Sequence, residues 1–113
     1  MNDQVDPFEA INSLEVKGQL YAKARAERIH LEEWRKSRKA ILMKQAQDGG
    51  VKTSPAAETE AYADESYIKL LDTIKFAVEE EEKLRWALVT AQAKIEVWRS
   101  LCANHRVIDK AIS

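Results

Sequence analysis

The stretch YIKLLDTIKFAVEEEEKLRWALVTAQAKIEVWRSLCA, residues 67–103, decides the fold class. It contains no Gly or Pro, and Leu70, Ile74, Ala77, Glu81, Leu84, Leu88, Ala91, Ile95, Trp98 and Cys102 recur along it at alternating spacings of four and three. That register puts all ten on one stripe of an α-helix, the pattern of a coiled-coil seam. Only Glu81 breaks the apolar run, at a position where pairing with Arg85 of the same or a neighbouring helix would offset its charge. A second apolar stripe, Trp86, Val89 or Thr90, Ala93 and Val97, lies off the seam, so the helix is apolar on more than one face after Lys83. At 1.5 Å per residue the segment spans roughly 55 Å. One partner helix of the same chain would not hide both stripes, so the reading is of a helix buried in a homo-oligomer, held by Leu84, Leu88, Ala91, Ile95, Trp98 and Cys102.

Working towards the N-terminus, Asp64 or Ser66 can cap this helix. Before it, Thr53-Ser54-Pro55 breaks the chain and Ala56-Ala57-Glu58-Thr59-Glu60-Ala61-Tyr62 reads as a short acidic helix starting at Pro55. Asp48-Gly49-Gly50 ends an earlier helix. That helix opens at Asp6-Pro7-Phe8-Glu9, where Asp6 can accept from free backbone N–H groups, Pro7 is tolerated in the first turn and Glu9 suits the helix N-terminus. Asn12-Ser13 and Gly18 are places where it could be interrupted. Its apolar stripe is ragged: Leu20, Tyr21, Ala24, Leu31, Trp34, Ile41 and Leu42, broken by Glu27, Arg28 and Arg38. The fold expected is all-α, a long helical hairpin (7–47 and 67–104) with a short acidic connector within 48–66, forming one module.

Composition agrees. The chain has 113 residues, 45% hydrophobic and 33% charged, with three Gly and two Pro, which favours helix over a turn-rich β fold or disorder. A chain this short buries a modest core by itself. The single cysteine, Cys102, cannot form an internal disulfide, and MNDQVDPFEA lacks the layout of a secretory leader, so a cytoplasmic location is the expectation. No apolar run approaches the roughly 20 residues needed to cross a bilayer, and no membrane association is expected.

A formal net charge of -1 conceals segregation. Arg25, Arg28, Arg35, Lys36, Arg38, Lys39 and Lys44 crowd the first half, while from Glu58 to Glu82 the acids are opposed only by Lys69 and Lys75. On a helix, Arg25, Arg28, Arg35 with Lys36, and Lys39 form a basic ridge broken by Glu32. Such a ridge can follow phosphates, and an exposed Trp34 within it could stack on an unpaired base. The alternative reading, and the commoner one for mixed charge on an exposed helix, is a solvated face over a half-buried Trp34. No catalytic residues, cofactor or metal are expected: Cys102 and His105 lie at helical spacing but lack the further ligands of a closed zinc site, and no GxxxxGK[ST], GxGxxG or HExxH occurs.

The order of segments resembles phage recombination mediators of the UvsY type. The residues that carry the resemblance are Asp6-Pro7-Phe8, Leu20-Tyr21-Ala22-Lys23 opening a long basic helix that ends at a Gly-containing loop, Trp86 followed by Leu88, and the closing Val107-Ile108-Asp109-Lys110-Ala111-Ile112. The likeness covers most of the chain. It implies a ring-like oligomer that binds single-stranded DNA and helps load a RecA-like recombinase onto strands coated by a single-strand-binding protein. In that family a Lys and Arg pair just before the loop is associated with DNA binding. Here the region reads Met43-Lys44-Gln45-Ala46-Gln47, only Lys44 keeps a charge, and the expected contacts move upstream to Arg35, Lys36, Arg38 and Lys39. The competing expectation is a non-enzymatic helical adaptor, a phage assembly factor or an inhibitor of a host protein, acting through coiled-coil contacts.

Overall fold

A computed structural model describes residues 6–112; residues 1–5, read above as part of a chain start without a leader, and residue 113 lie outside it. The described chain is all-α, with α1 (Pro7–Asp48), α2 (Ser54–Ala63) and α3 (Glu65–Ile112).

Each boundary has a local cause. The Asp6 carboxylate accepts from the N–H of Phe8 at 2.9 Å and of Glu9 at 3.5 Å, so two otherwise unpaired donors are met as α1 begins. No break occurs at residues 12–18: Gly18 lies inside α1, since the good helix formers on either side outweigh the roughly 1 kcal/mol cost of one glycine. At the other end the N–H of Val51 donates to the Ala46 carbonyl and the N–H of Gly50 to that of Gln47, the paired bonds of a Schellman motif. The motif needs a left-handed residue, which Gly50 supplies at φ 109°. Thr53 Oγ1 accepts from the Ala56 N–H to cap α2, which begins at Ser54, one residue before the expected Pro55 start. Asp64 caps α3, its side chain accepting from the Ser66 N–H at 2.9 Å and its carbonyl from Tyr67 and Ile68. Continuing without a breaker, α3 passes the expected end near residue 104 and reaches Ile112.

Two compact units are formed. Unit 2, residues 23–81, holds the second half of α1, all of α2 and the start of α3. Its interior is Leu42, Ala57, Ala61, Tyr67 and Ala77 with the buried carboxylate Glu81, and Met43 packs against the Leu42, Ala61 and Tyr67 cluster. Ala57 and Ala61, four apart on α2, have almost no exposed surface, so small residues let α2 approach closely. Unit 1, residues 1–22 and 82–113, pairs the start of α1 with the rest of α3, and none of its described residues is buried. Between the helices of unit 1 lies a groove of about 410 Å³ lined by Ala10, Ser13 and Lys17 on one side and Ala87, Ala91 and Ile95 on the other.

Candidate nucleic-acid interface

The basic ridge of α1 lies largely on the inner face of that helix. Arg28, Arg35 and Leu42 are seven residues apart, and Leu42 is core, so both guanidiniums emerge on the side from which α1 meets the other helices of unit 2. Arg28 meets Glu81 of α3 with two parallel hydrogen bonds, Nε to Oε2 at 2.6 Å and Nη2 to Oε1 at 3.0 Å, while Nη1 donates to Glu32 at 3.1 Å. The hydrogen bonds from Arg28 hold the Glu81 carboxyl below its ordinary range against the opposing effect of burial. The same bonds raise the Arg28 pKa, so the pair stays ionised at neutral pH. The expected partner Arg85 pairs instead with Glu82 on its own helix, at 2.8 Å.

Arg38 donates from Nε and Nη2 to Ser66 Oγ at 3.2 and 2.7 Å. The Ser66 hydroxyl is also hydrogen-bonded to Asp64, whose carboxyl is held low chiefly by its bonds from Ser66. Lys39 Nζ stands 4.7 Å from the centre of the Tyr62 ring and 3.4 Å from Glu58 on α2. Hydrogen bonding to Tyr62 first, and then to Glu58, raises its pKa. Lys36 pairs with Glu33 on the exposed side of α1.

What remains is a shallow groove of about 470 Å³ lined by Arg35, Lys36 and Lys39 from α1, Tyr62 from α2, and Tyr67 and Leu71 from α3. Tyr62 and Tyr67 meet edge to face, with centroids 5.4 Å apart. Half-buried Arg35 has no acidic partner among the described residues, although Lys39 and Lys36 do. The structure therefore brings Arg35, Lys36 and Lys39 together, and Arg38 stays close in sequence but is spent on Ser66. Arg25 and Lys44 are exposed and line no part of this groove, and Trp34 keeps 43% of its surface open on the flank of α1.

Sequence reasoning missed Tyr62, Tyr67 and Leu71. Tyr62 and Tyr67 stand five apart across the α2–α3 junction, and no periodicity carries over such a junction. Asp64 between them is the signal that the chain turns there.

The six residues assigned to self-association are all half-buried within the single chain. Ala91 and Ile95 line the groove opposite Ala10 and Ser13, and Leu84, Leu88, Trp98 and Cys102 continue the same stripe. The seam thus faces α1 of its own chain. The off-seam stripe keeps its exposure, with Trp86 58%, Val89 39% and Val97 60% open. Among the described residues no helix is long and apolar enough to cross a membrane, and no cluster of His, Cys, Asp and Glu could hold a metal ion.

Compared with protein-family models, curated proteins and solved structures, the chain gives no match in any of the three.

Proposed function

We propose that this protein binds single-stranded DNA through the groove of unit 2 and acts as a recombination mediator, helping a RecA-like recombinase to displace a single-strand-binding protein. The observation that carries the reading is Arg35, half-buried and without an acidic partner among the described residues, beside Lys36, Lys39 and the exposed Tyr62. A charge in that setting calls for an anion, and a phosphate with a base stacked on the adjacent tyrosine satisfies both features. The role in recombination rests on the resemblance in segment order and on nothing in the groove itself. Exposed Glu60 and Glu65, flanking Tyr62, offer acidic contacts to a basic protein partner.

Fluorescence anisotropy with a labelled oligonucleotide tests the reading. Binding should weaken steeply as salt rises, and reversing Arg35, Lys36 and Lys39 to Glu should abolish it. Each single neutralisation should lower the salt slope by roughly 0.7. Tyr62→Ala should weaken binding about tenfold, the scale of one lost stack. An unbound oligonucleotide at low salt would end the proposal.

A second reading is favoured by a different observation. Arg28, Arg38 and Lys39 are engaged inside the chain, which is what a helical adaptor needs of its charges, and the apolar surface of unit 1 is then the working face. Retained self-association without DNA binding would select it.

A further inference from the structure

The two units differ in what lies between their long helices. In unit 2 the acidic helix α2 fills that space, with Ala61 against Leu42 and Tyr67 and with Glu58 set 3.4 Å from Lys39 of α1. Unit 1 has no third helix, and its groove of about 410 Å³ stays open between α1 and α3. The sequence accounts for the opening. Ala10 and Ser13 on α1 meet Ala87 and Ala91 on α3, so short side chains leave space that leucines there would fill.

Charge along this groove is of one sign. Lys17 lines it from α1 and Lys94 from α3. Half-buried Lys17 donates to the Ser13 hydroxyl at 2.7 Å, and neither lysine has an acidic partner among the described residues. Taking about 100° per residue, every position of α3 from 83 to 101 that lies within about 60° of Lys94 is apolar, threonine or lysine. Val97 and Leu101 extend that face and are each more than half exposed. On α1 the nearest acids, Asp6 and Glu9, stand at its very start, and Asp6 is spent on capping. The lining residues include no aromatic ring, so the groove offers a base nothing to stack on. An extended peptide fits no better, because both walls are helices whose backbone groups already pair within themselves. A helix brings its own backbone bonds with it.

We infer that the groove of unit 1 is a docking surface for an acidic amphipathic helix of a partner protein. The face from Ala87 to Leu101 is about 21 Å long, which matches roughly four turns of such a helix. Short residues on the walls call for large apolar ones on the visitor, the reverse of unit 2, where the third helix supplies Ala57 and Ala61. Lysines on both walls call for acids on both borders of the visitor's apolar stripe, as Glu58 on α2 answers Lys39. The mode is that of a helix laid in a groove, with anchors at every third or fourth residue. It is independent of DNA binding in unit 2.

The probe is a labelled synthetic peptide of about four helical turns, with leucine along one stripe and glutamate on both borders. Its control carries lysine in place of glutamate. Titrated with the full chain and followed by fluorescence anisotropy, the glutamate peptide should bind saturably and at least about tenfold more tightly than the lysine peptide. Lys17→Glu with Lys94→Glu should reverse that order while the chain stays helical, since replacing the two lysines strands no acid among the described residues. Should circular dichroism show that the double variant loses helix, Lys17→Gln with Lys94→Gln should instead bring the two peptides to equal affinity. A glutamate peptide that does not bind, equal binding of both peptides to wild type, or a preference unchanged in the charge variants would each overturn the inference. So would a wild-type mass above 12.9 kDa that falls to 12.9 kDa in the double variant with no peptide bound, which gives the groove to a second copy. Loss of oligonucleotide binding in that variant, with peptide preference intact, would give the groove to nucleic acid and overturn the inference as well.

Discussion

The two units are built from the same two long helices, yet only one encloses anything. In unit 2, α2 adds Ala57 and Ala61 against Leu42 and Tyr67, and every buried residue among those described lies there. In unit 1 the seam residues Leu84, Leu88 and Ile95 stop at half-burial, and Phe8, Ile11, Trp86, Val97 and Leu101 stay more than half exposed. Two helices touch along a line, and only a third element closes the space beside it. Helical pattern alone therefore does not tell a core from a surface; the number of neighbours does.

The largest way to break this contrast is to empty the one enclosed position of large size on α1. Leu42→Ala should cost about 2–4 kcal/mol in chemical denaturation, and Leu88→Ala in unit 1 no more than about half of that, because its side chain is only partly covered. Equal losses would mean that unit 1 is as closed as unit 2. Next comes Gly50→Ala, which forces a Cβ into the φ 109° conformation of the Schellman turn and should cost about 1–2 kcal/mol, read from the same denaturation curves. Removing the α2 cap with Thr53→Ala should cost about 1 kcal/mol and loosen unit 2 alone, so amide exchange should quicken in α2 and remain unchanged in residues 86–112.

Smallest of all is the effect of acid. The Glu81 carboxyl titrates lower in the folded chain than its unfolded value of about 4.5, so its pairing stabilises the fold above that pH, and the contribution disappears as pH falls through the lower folded value. Asp64, depressed from 3.8 by Ser66, acts in the same direction. Thermal midpoints should therefore decline below about pH 4.5. That decline should shrink in Glu81→Gln, which keeps one hydrogen-bonding oxygen towards Arg28 and no titrating proton. An acid profile unchanged by the substitution would remove Glu81 from the account.

Much of the fold was legible without coordinates, and the candidate groove was legible in part. Helix boundaries depend on a few neighbouring residues, and Asp6, Gly50, Thr53 and Asp64 each act within five positions of themselves. The ridge of Arg25, Arg28, Arg35, Lys36 and Lys39 was visible as spacing. That Arg28, and Arg38 beside the ridge, are held by α3 residues while Arg35 is left with two tyrosines was not, because each outcome depends on a residue at least 27 positions away.

Alone, then, the sequence determined that the chain is helical, where its helices start to within a residue or two and where α1 stops, and that α3 carries two apolar stripes, since all three follow from local hydrogen bonding and a period of 3.6 residues. Only the tertiary structure decided which stripe the chain covers with its own α1. Both stripes are apolar enough to be buried, and the choice belongs to contacts between residues far apart in sequence within unit 1, where Ala91 and Ile95 line the groove opposite Ala10 and Ser13. The seam that looked most like a surface for other subunits runs half-buried along α1 of its own chain, and Trp86, Val97 and Ile108 on the other stripe stay more than half exposed.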